Sequence, residues 1–246
     1  MLGGCSAFKE KESGEPGPKQ LFDQGKAALD DNDYELAIEN FEKLESRYPF
    51  RVYAQQAKLD IAYAYYKFGE PESAIATADR FIKTYPRHPN VDYAYYIRGL
   101  ASFTPEKGFF DRLFNLDPAT RDPRSAEKSY QYFSELIEKF PDSKYAADAA
   151  QRMIHLENYL ARHELGVADY YMKRGAFVAA VNRAQYIIEN YPRSTSVPGA
   201  LVVMEDAYNS LGMEELSNDT ARVLRLNQPD RPSAGKNDDA RKNAHG

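Results

Sequence analysis

Apolar residues recur with helical spacing along most of this 246-residue chain. Between about residues 19 and 226 they fall at i, i+3 and i+4, without the alternating β-branched runs typical of strands. Residues 6–18 and 227–246 are polar, contain Gly and Pro, and lack this periodicity. The pattern predicts an all-α protein with a flexible tether before the helices and a disordered tail after them.

An aromatic–proline pair recurs along the helical part. It occurs as Tyr48-Pro49, Tyr85-Pro86, Phe140-Pro141 and Tyr191-Pro192, and Gln228-Pro229 takes a fifth place without the aromatic residue. The first and last intervals between these prolines are both 37 residues, and the middle two are 55 and 51. Because proline lacks an amide donor and disfavours helix in the residue before it, each pair predicts the end of a helix.

Three positions counted back from each proline share their character in every copy. The twelfth residue before it is small, the eighth is Phe or Ala, and the fifth is a large apolar residue. In chain order these residues are Ala37, Ala74, Ser129, Ala180 and Ser217; Phe41, Ala78, Phe133, Ala184 and Ala221; and Leu44, Phe81, Leu136, Ile187 and Leu224. Since offsets of 4 and 3 lie on one side of a helix, these residues are predicted to form its buried stripe.

This register resembles the tetratricopeptide repeat, whose pattern Gly25, Ala37, Phe41 and Pro49 match directly. We therefore expect a right-handed α-solenoid of five tetratricopeptide-like helix-turn-helix repeats. The predicted repeats span about 19–49, 52–86, 91–141 with an insertion at 104–122, 143–192, and 197–226. Outside the repeats, residues 1–18 are predicted to be a lipoprotein N-terminus with a flexible tether, and residues 227–246 a disordered tail. Residues 143–174 hold no Pro and predict one long helix.

Composition argues against several classes of protein. The formal net charge of −5 disfavours nucleic-acid binding, which needs a basic surface. One Cys and four His leave no disulfide within the chain and little material for metal sites. His163-Glu164 does not complete a zinc-protease motif, because Val167 stands where the second His is required. We expect no catalytic residues, no metal and no dissociable cofactor, and therefore no enzyme.

The first residues, Leu2-Gly3-Gly4-Cys5, resemble the end of a bacterial lipoprotein signal. The charged and apolar stretches of a signal peptide do not precede them in this sequence. Two interpretations remain open at this point: a lipid on Cys5 with a shortened signal or a misassigned start, or a chance match at a natural start.

A closer resemblance runs through the repeats. The chain is similar to the BamD (ComL) lipoprotein family in several segments spread over about residues 20–226. They are SRYPF at 46–50, YAQQ at 53–56, IAYAYYK at 61–67, DRFI at 79–82, HPNVDY at 88–93, RGL at 98–100, RDP at 121–123, VADYY at 167–171 and RGAFVAAVNR at 174–183.

The resemblance implies a lipid-anchored subunit of the outer-membrane β-barrel assembly machinery, on the periplasmic face of the outer membrane. Its implied partners are a POTRA domain of BamA, other lipoproteins of the machinery, and unfolded barrel proteins as clients. It also implies a covalent diacylglycerol and N-acyl lipid on Cys5. The alternative from another class is a soluble or periplasmic peptide-binding scaffold without a role in barrel assembly.

First helices of tetratricopeptide repeats line a groove, which points to particular side chains. The expected groove positions are Phe22, Lys26 and Leu29 in the first repeat and Gln56, Leu59, Tyr63, Tyr66 and Lys67 in the second. For client contact we predict Tyr53, Gln56, Tyr63, Tyr66 and Arg183. The aromatic residues could instead close the junction between repeats, and Arg183 could hold either a peptide carboxylate or an intramolecular ion pair. For BamA docking we predict Tyr170, Arg174 and Phe177.

Overall fold

The computed structural model describes residues 16–49, 51–103 and 122–227. Within these ranges the secondary structure is ten α-helices and no strand. They are α1 (Pro18–Asp30), α2 (Tyr34–Arg47), α3 (Val52–Phe68), α4 (Pro71–Thr84), α5 (Val91–Ser102), α6 (Arg124–Lys139), α7 (Ala146–Lys173), α8 (Phe177–Asn190), α9 (Val197–Ser210) and α10 (Glu214–Asn227). Cys5, nearly all of the predicted tether, the insertion up to residue 121 and the tail from residue 228 lie outside the described residues.

The helices fall into two compact units, divided between residues 102 and 103. In the first unit each helix packs on the next one along the chain, from α1 to α5, and α3 also contacts both α1 and α5. In the second unit α6 to α10 pack in the same consecutive way, and α7 also contacts α9. Successive helix pairs therefore stack through their first helices, which confirms the predicted all-α class built of helix-turn-helix repeats.

The aromatic–proline pairs mark helix ends, as the sequence predicts. Helices α2, α4, α6 and α8 each end one residue before the aromatic residue, whose amide still donates to the carbonyl four residues earlier. That acceptor belongs to Leu44, Phe81, Leu136 or Ile187, the large apolar residue five before the proline. The aromatic residue takes an extended-like φ near −130°. Helical hydrogen bonding thus stops where the following proline could not continue it.

The predicted stripe is the core of both units. The small residues twelve before each proline are all buried, because a larger side chain would hold the neighbouring helix away. The five large apolar residues are buried as well, with Leu44, Phe81, Leu136 and Ile187 completely inaccessible. At the middle position both the large residues, Phe41 and Phe133, and the small ones, Ala78 and Ala184, are buried. Apolar burial at these positions stabilises each repeat against the next.

Residues 146–173 form one uninterrupted helix of 28 residues, which confirms the predicted long helix. Its last residue is Lys173 and its C-cap is Arg174. Gly175 follows with a φ of 71°, a left-handed conformation that glycine adopts at little cost. The chain then turns directly into α8. In the part of the chain that the structure describes, no helix has the length and apolar character needed to cross a membrane.

Candidate functional site

An aromatic pair joins α1 to α3 on the first unit. The rings of Phe22 and Tyr53 lie 5.3 Å apart between centroids, and Phe22 also contacts the buried Phe41 at 5.9 Å. Tyr53 keeps 37% of its surface exposed. The Tyr53 ring is therefore supported by Phe22, which packs on the core, while part of the ring remains open to solvent. This arrangement suits contact with an apolar side chain of a ligand.

The four aromatic and amide residues predicted on α3 do not all share one side of the helix. At 3.6 residues per turn, Tyr53, Gln56 and Tyr63 lie within an arc of about 80°, whereas Tyr66 lies about 140° from Tyr53. Tyr63 is half-buried and packs against the core of the first unit. Of the four, Tyr53 is the exposed residue, and Gln56, Tyr63 and Tyr66 are half-buried.

Two expected groove residues are not exposed. Leu29 and Leu59 are both buried, Leu59 completely. The prediction of exposure at these two positions is wrong. Leu59 is on α3, which is contacted by α1, α2, α4 and α5, and Leu29 is on α1, which packs against both α2 and α3. Sequence periodicity identifies the apolar positions of a helix, but it does not count the helices that surround it.

A polar cluster lies beside the aromatic pair. Asn90, just before α5, donates from Nδ2 to Oε1 of Gln56 at 3.3 Å, and Gln56 donates from Nε2 to Oδ1 of Asp60 at 3.4 Å. Lys26 of α1 places Nζ 3.6 Å from the same Asp60 oxygen. Asp60 is not among the residues predicted from the sequence, although an acidic residue within the apolar run from Leu59 to Ala62 is a recognisable signal of a buried polar site.

Asp60 is buried, with 6% of its surface exposed. Burial raises the pKa of its carboxyl above the ordinary value, and Lys26 and then the hydrogen bond from Gln56 offset this only in part. The first unit therefore carries a costly buried carboxylate next to the predicted client residues.

Arg183 lies on α8, in the second unit, and so belongs to a different compact unit from Tyr53 and Gln56. Its Nη1 donates to Oε2 of Glu164 at 3.0 Å. Glu164 is largely covered, whereas the Arg183 side chain is half-exposed. Of the two interpretations of Arg183, the intramolecular ion pair is present in the structure.

The three residues predicted for docking lie together around the turn from α7 to α8. Tyr170 is 56% exposed, its ring meets that of Tyr171 edge-on at 5.8 Å, and the guanidinium of Arg174 lies over it at 6.0 Å. Phe177 begins α8 and is half-buried, and the next residue, Val178, is exposed. The turn thus presents an aromatic and cationic patch, the residue types enriched at protein interfaces.

The first unit also has a cavity of about 210 Å³ between α2, α3 and α4. Both acidic residues of its lining have partners within it, since Lys58 pairs with Glu45 at 3.0 Å and the Tyr65 hydroxyl donates to Glu42 at 3.0 Å. It contains none of the predicted site residues. Over the described ranges, no group of three or more His, Cys, Asp or Glu is placed to hold a metal ion.

Comparison with known proteins places these features in a family. The YfiO family model, described as an outer membrane lipoprotein, matches residues 15–224, the whole set of helices α1–α9 and most of α10. The chain belongs to the BamD family of outer membrane lipoproteins. The resemblance seen in the sequence is thereby confirmed.

BamD relatives support the same assignment over most of the chain. A Neisseria meningitidis serogroup A protein is 45% identical over 214 residues, which cover 87% of this chain and 80% of the relative. A Vibrio cholerae protein is 37% identical, covering 92% and 94%, and a Xylella fastidiosa protein is 35% identical, covering 94% and 80%. All three are named outer membrane protein assembly factor BamD.

Proposed function

We propose that this BamD-family protein is an assembly factor of the outer membrane that binds BamA and unfolded barrel-protein clients through two separate surfaces. The observation that carries the assembly role is the family match, which extends over both units and includes both predicted surfaces. The soluble scaffold without a role in barrel assembly is the disfavoured alternative, since the relatives are named assembly factors over nearly the full chain.

The client surface is the junction of α1 and α3, where the exposed Tyr53 lies between the half-buried Phe22 and Gln56. Three physical features support it: an exposed ring held rigidly on another ring, an amide already fixed by Asn90, and a charged pair one turn further along α3. A rigid aromatic residue gives contact area at a small entropic cost on binding. Neighbouring amide and charged groups would pair with the main chain of an extended ligand.

The BamA-docking surface is the turn between α7 and α8, around Tyr170, Arg174 and Phe177. The guanidinium of Arg174 lies over the Tyr170 ring at 6.0 Å, so the two exposed side chains form one patch. Tyr and Arg are among the residue types that dominate binding energy at interfaces. Arg183, predicted for client contact, is paired with Glu164 but keeps about half of its side chain exposed, so it remains a candidate for a client carboxylate.

The anchor in this proposal is a lipid on Cys5, and the protein works by binding energy and positioning without a chemical step. Intact mass measurement of protein extracted from native membranes tests the anchor. Three acyl chains on Cys5 are expected, whereas an unmodified thiol in the membrane fraction would contradict it.

Site-specific photo-cross-linking tests the client surface. A photoreactive amino acid replaces Tyr53 in one variant and the exposed Glu72 on α4 in a matched control. A synthetic peptide with alternating apolar and polar residues and a C-terminal Phe is the probe. Strong labelling at position 53 and background labelling at position 72 are expected. Equal labelling at the two positions would reject the surface.

A further inference from the structure

Asp60 holds a polar atom that the fold leaves unsatisfied. Its Oδ1 receives both contacts, from Gln56 at 3.4 Å and from Lys26 at 3.6 Å, and both are longer than ordinary N–H···O hydrogen bonds. Its Oδ2 is buried and has no hydrogen-bond partner among the described residues. The carboxylate is thus half-paired at best.

Such an arrangement costs stability. A buried charge is tolerated only when it is well paired and its remaining lone pairs are hydrogen-bonded. The partner, Lys26, is 44% exposed on a flexible stem, so the ion pair contributes little to holding α1 against α3. Sites where a protein keeps an unsatisfied buried polar group are commonly sites of function.

The position of Asp60 connects it with the proposed client surface. On α3 it lies within the arc that contains Tyr53, Gln56 and Tyr63, about 20° from Tyr53. Lys26 lies four residues after Phe22 on α1, so it shares a side of that helix with the ring that supports Tyr53. The unsatisfied acceptor and the open aromatic pair therefore belong to the same helix faces.

We propose that Asp60 is a client-binding residue, whose half-paired carboxylate accepts a hydrogen bond from a main-chain N–H of an extended client at Oδ1, the oxygen that the Lys26 ammonium leaves when it turns toward solvent. This inference rests on the proposed client surface. An extended chain carries unpaired N–H groups at regular intervals whatever its sequence, so a main-chain contact serves clients of differing sequence. Hydrogen bonds to a charged acceptor are about twice as strong as neutral ones, which suits one fixed contact.

The test is a double-mutant cycle that combines one substitution in the protein with one modified amide in the peptide. The full chain and its Asp60→Asn variant are titrated by fluorescence anisotropy with the alternating peptide that ends in Phe. Each amide of the peptide is then N-methylated in turn, which removes one main-chain donor at a time. For the wild type, methylation of one particular amide is expected to raise the dissociation constant of the peptide about tenfold. For Asp60→Asn, methylation of the same amide is expected to change the dissociation constant less than about twofold.

Lys26→Met provides a second variant that keeps the apolar stem and removes the ammonium. It is expected to bind the peptide more tightly than the wild type and to keep the penalty at the same methylated amide. If Asp60 only held α1 to α3, both variants would lose stability and the affinities would change in parallel for every peptide.

The outcomes separate this inference from the function on which it rests. If the wild type binds the peptide but no amide shows a penalty that Asp60→Asn removes, the role of Asp60 is overturned and the client surface stands. If the wild type does not bind the unmethylated peptide, the client surface and the role of Asp60 are both overturned.

Discussion

Gly25 of α1 lies directly against the ring of Phe41 of α2. A Cβ at Gly25 would be 2.5 Å from Cε1 of Phe41 and 2.7 Å from two further ring atoms. Phe41 is completely buried, so its ring has no free space into which it could move. The contact explains why the first repeat needs a residue without a side chain at this place.

This contact predicts that Gly25→Ala destabilises the protein. The added methyl overpacks the first unit, and we expect a loss of about 1–3 kcal/mol in the free energy of unfolding. The matched control is Gly166→Ala in the middle of α7, where a Cβ meets nothing within 4 Å. Because alanine favours helix over glycine, the control should gain about 0.5–1 kcal/mol. Urea denaturation followed by circular dichroism measures both, and equal effects would contradict the packing argument.

A second prediction concerns one amide that ties α7 to the loop before α9. Oδ1 of Asn158 accepts hydrogen bonds from the Ser194 hydroxyl at 3.1 Å, the Thr195 amide at 2.9 Å and the Thr195 hydroxyl at 3.0 Å. Asn158→Ala removes all three, and Ser194 is buried, so we expect a loss of about 1–3 kcal/mol. The exposed Asn218 on α10 is the control, and Asn218→Ala should leave the denaturation midpoint nearly unchanged.

The raised pKa of Asp60 predicts a pH dependence of stability. Between its unfolded value near 3.8 and its higher folded value, this carboxyl binds more protons in the folded protein than in the unfolded one. The contribution of Asp60 to the free energy of unfolding therefore falls as pH rises through this range. Asp60→Asn removes the titration.

We thus expect the stability of Asp60→Asn, relative to the wild type, to increase with pH and to level off above the folded pKa. Urea denaturation of both proteins at about pH 4 and about pH 7 measures this difference. Titrating groups that do not contact Asp60 are common to both proteins and largely cancel. A difference that stays constant, or that shrinks with rising pH, would contradict the raised pKa.

The proposed docking surface predicts a specific loss of partner binding. Tyr170→Ala is expected to weaken the retention of BamA about tenfold in co-purification from detergent-extracted membranes, because the ring supports Arg174 and offers a large contact area. Ile154, also exposed and on the same helix, is the control. Ile154→Ala should retain BamA like the wild type. Equal losses in both variants, or none in either, would remove Tyr170 from the interface.

The sequence by itself determined the helices and their register. The aromatic–proline pairs fix where α2, α4, α6 and α8 end, because proline cannot donate the next helical hydrogen bond. The small, middle and large positions before each proline locate the buried stripe, and the long helix follows from a stretch without Pro. These features are local or periodic, so they can be recognised without knowing the tertiary structure.

Only the tertiary structure decided which side chains remain open and which meet. Leu29 and Leu59 have the periodicity of groove residues, but neighbouring helices cover them. The pairing of Phe22 with Tyr53, of Lys26 with Asp60 and of Arg183 with Glu164 joins residues 19 to 34 positions apart in the sequence. Such contacts depend on how one helix lies against the next, which the spacing of residues within a helix does not contain.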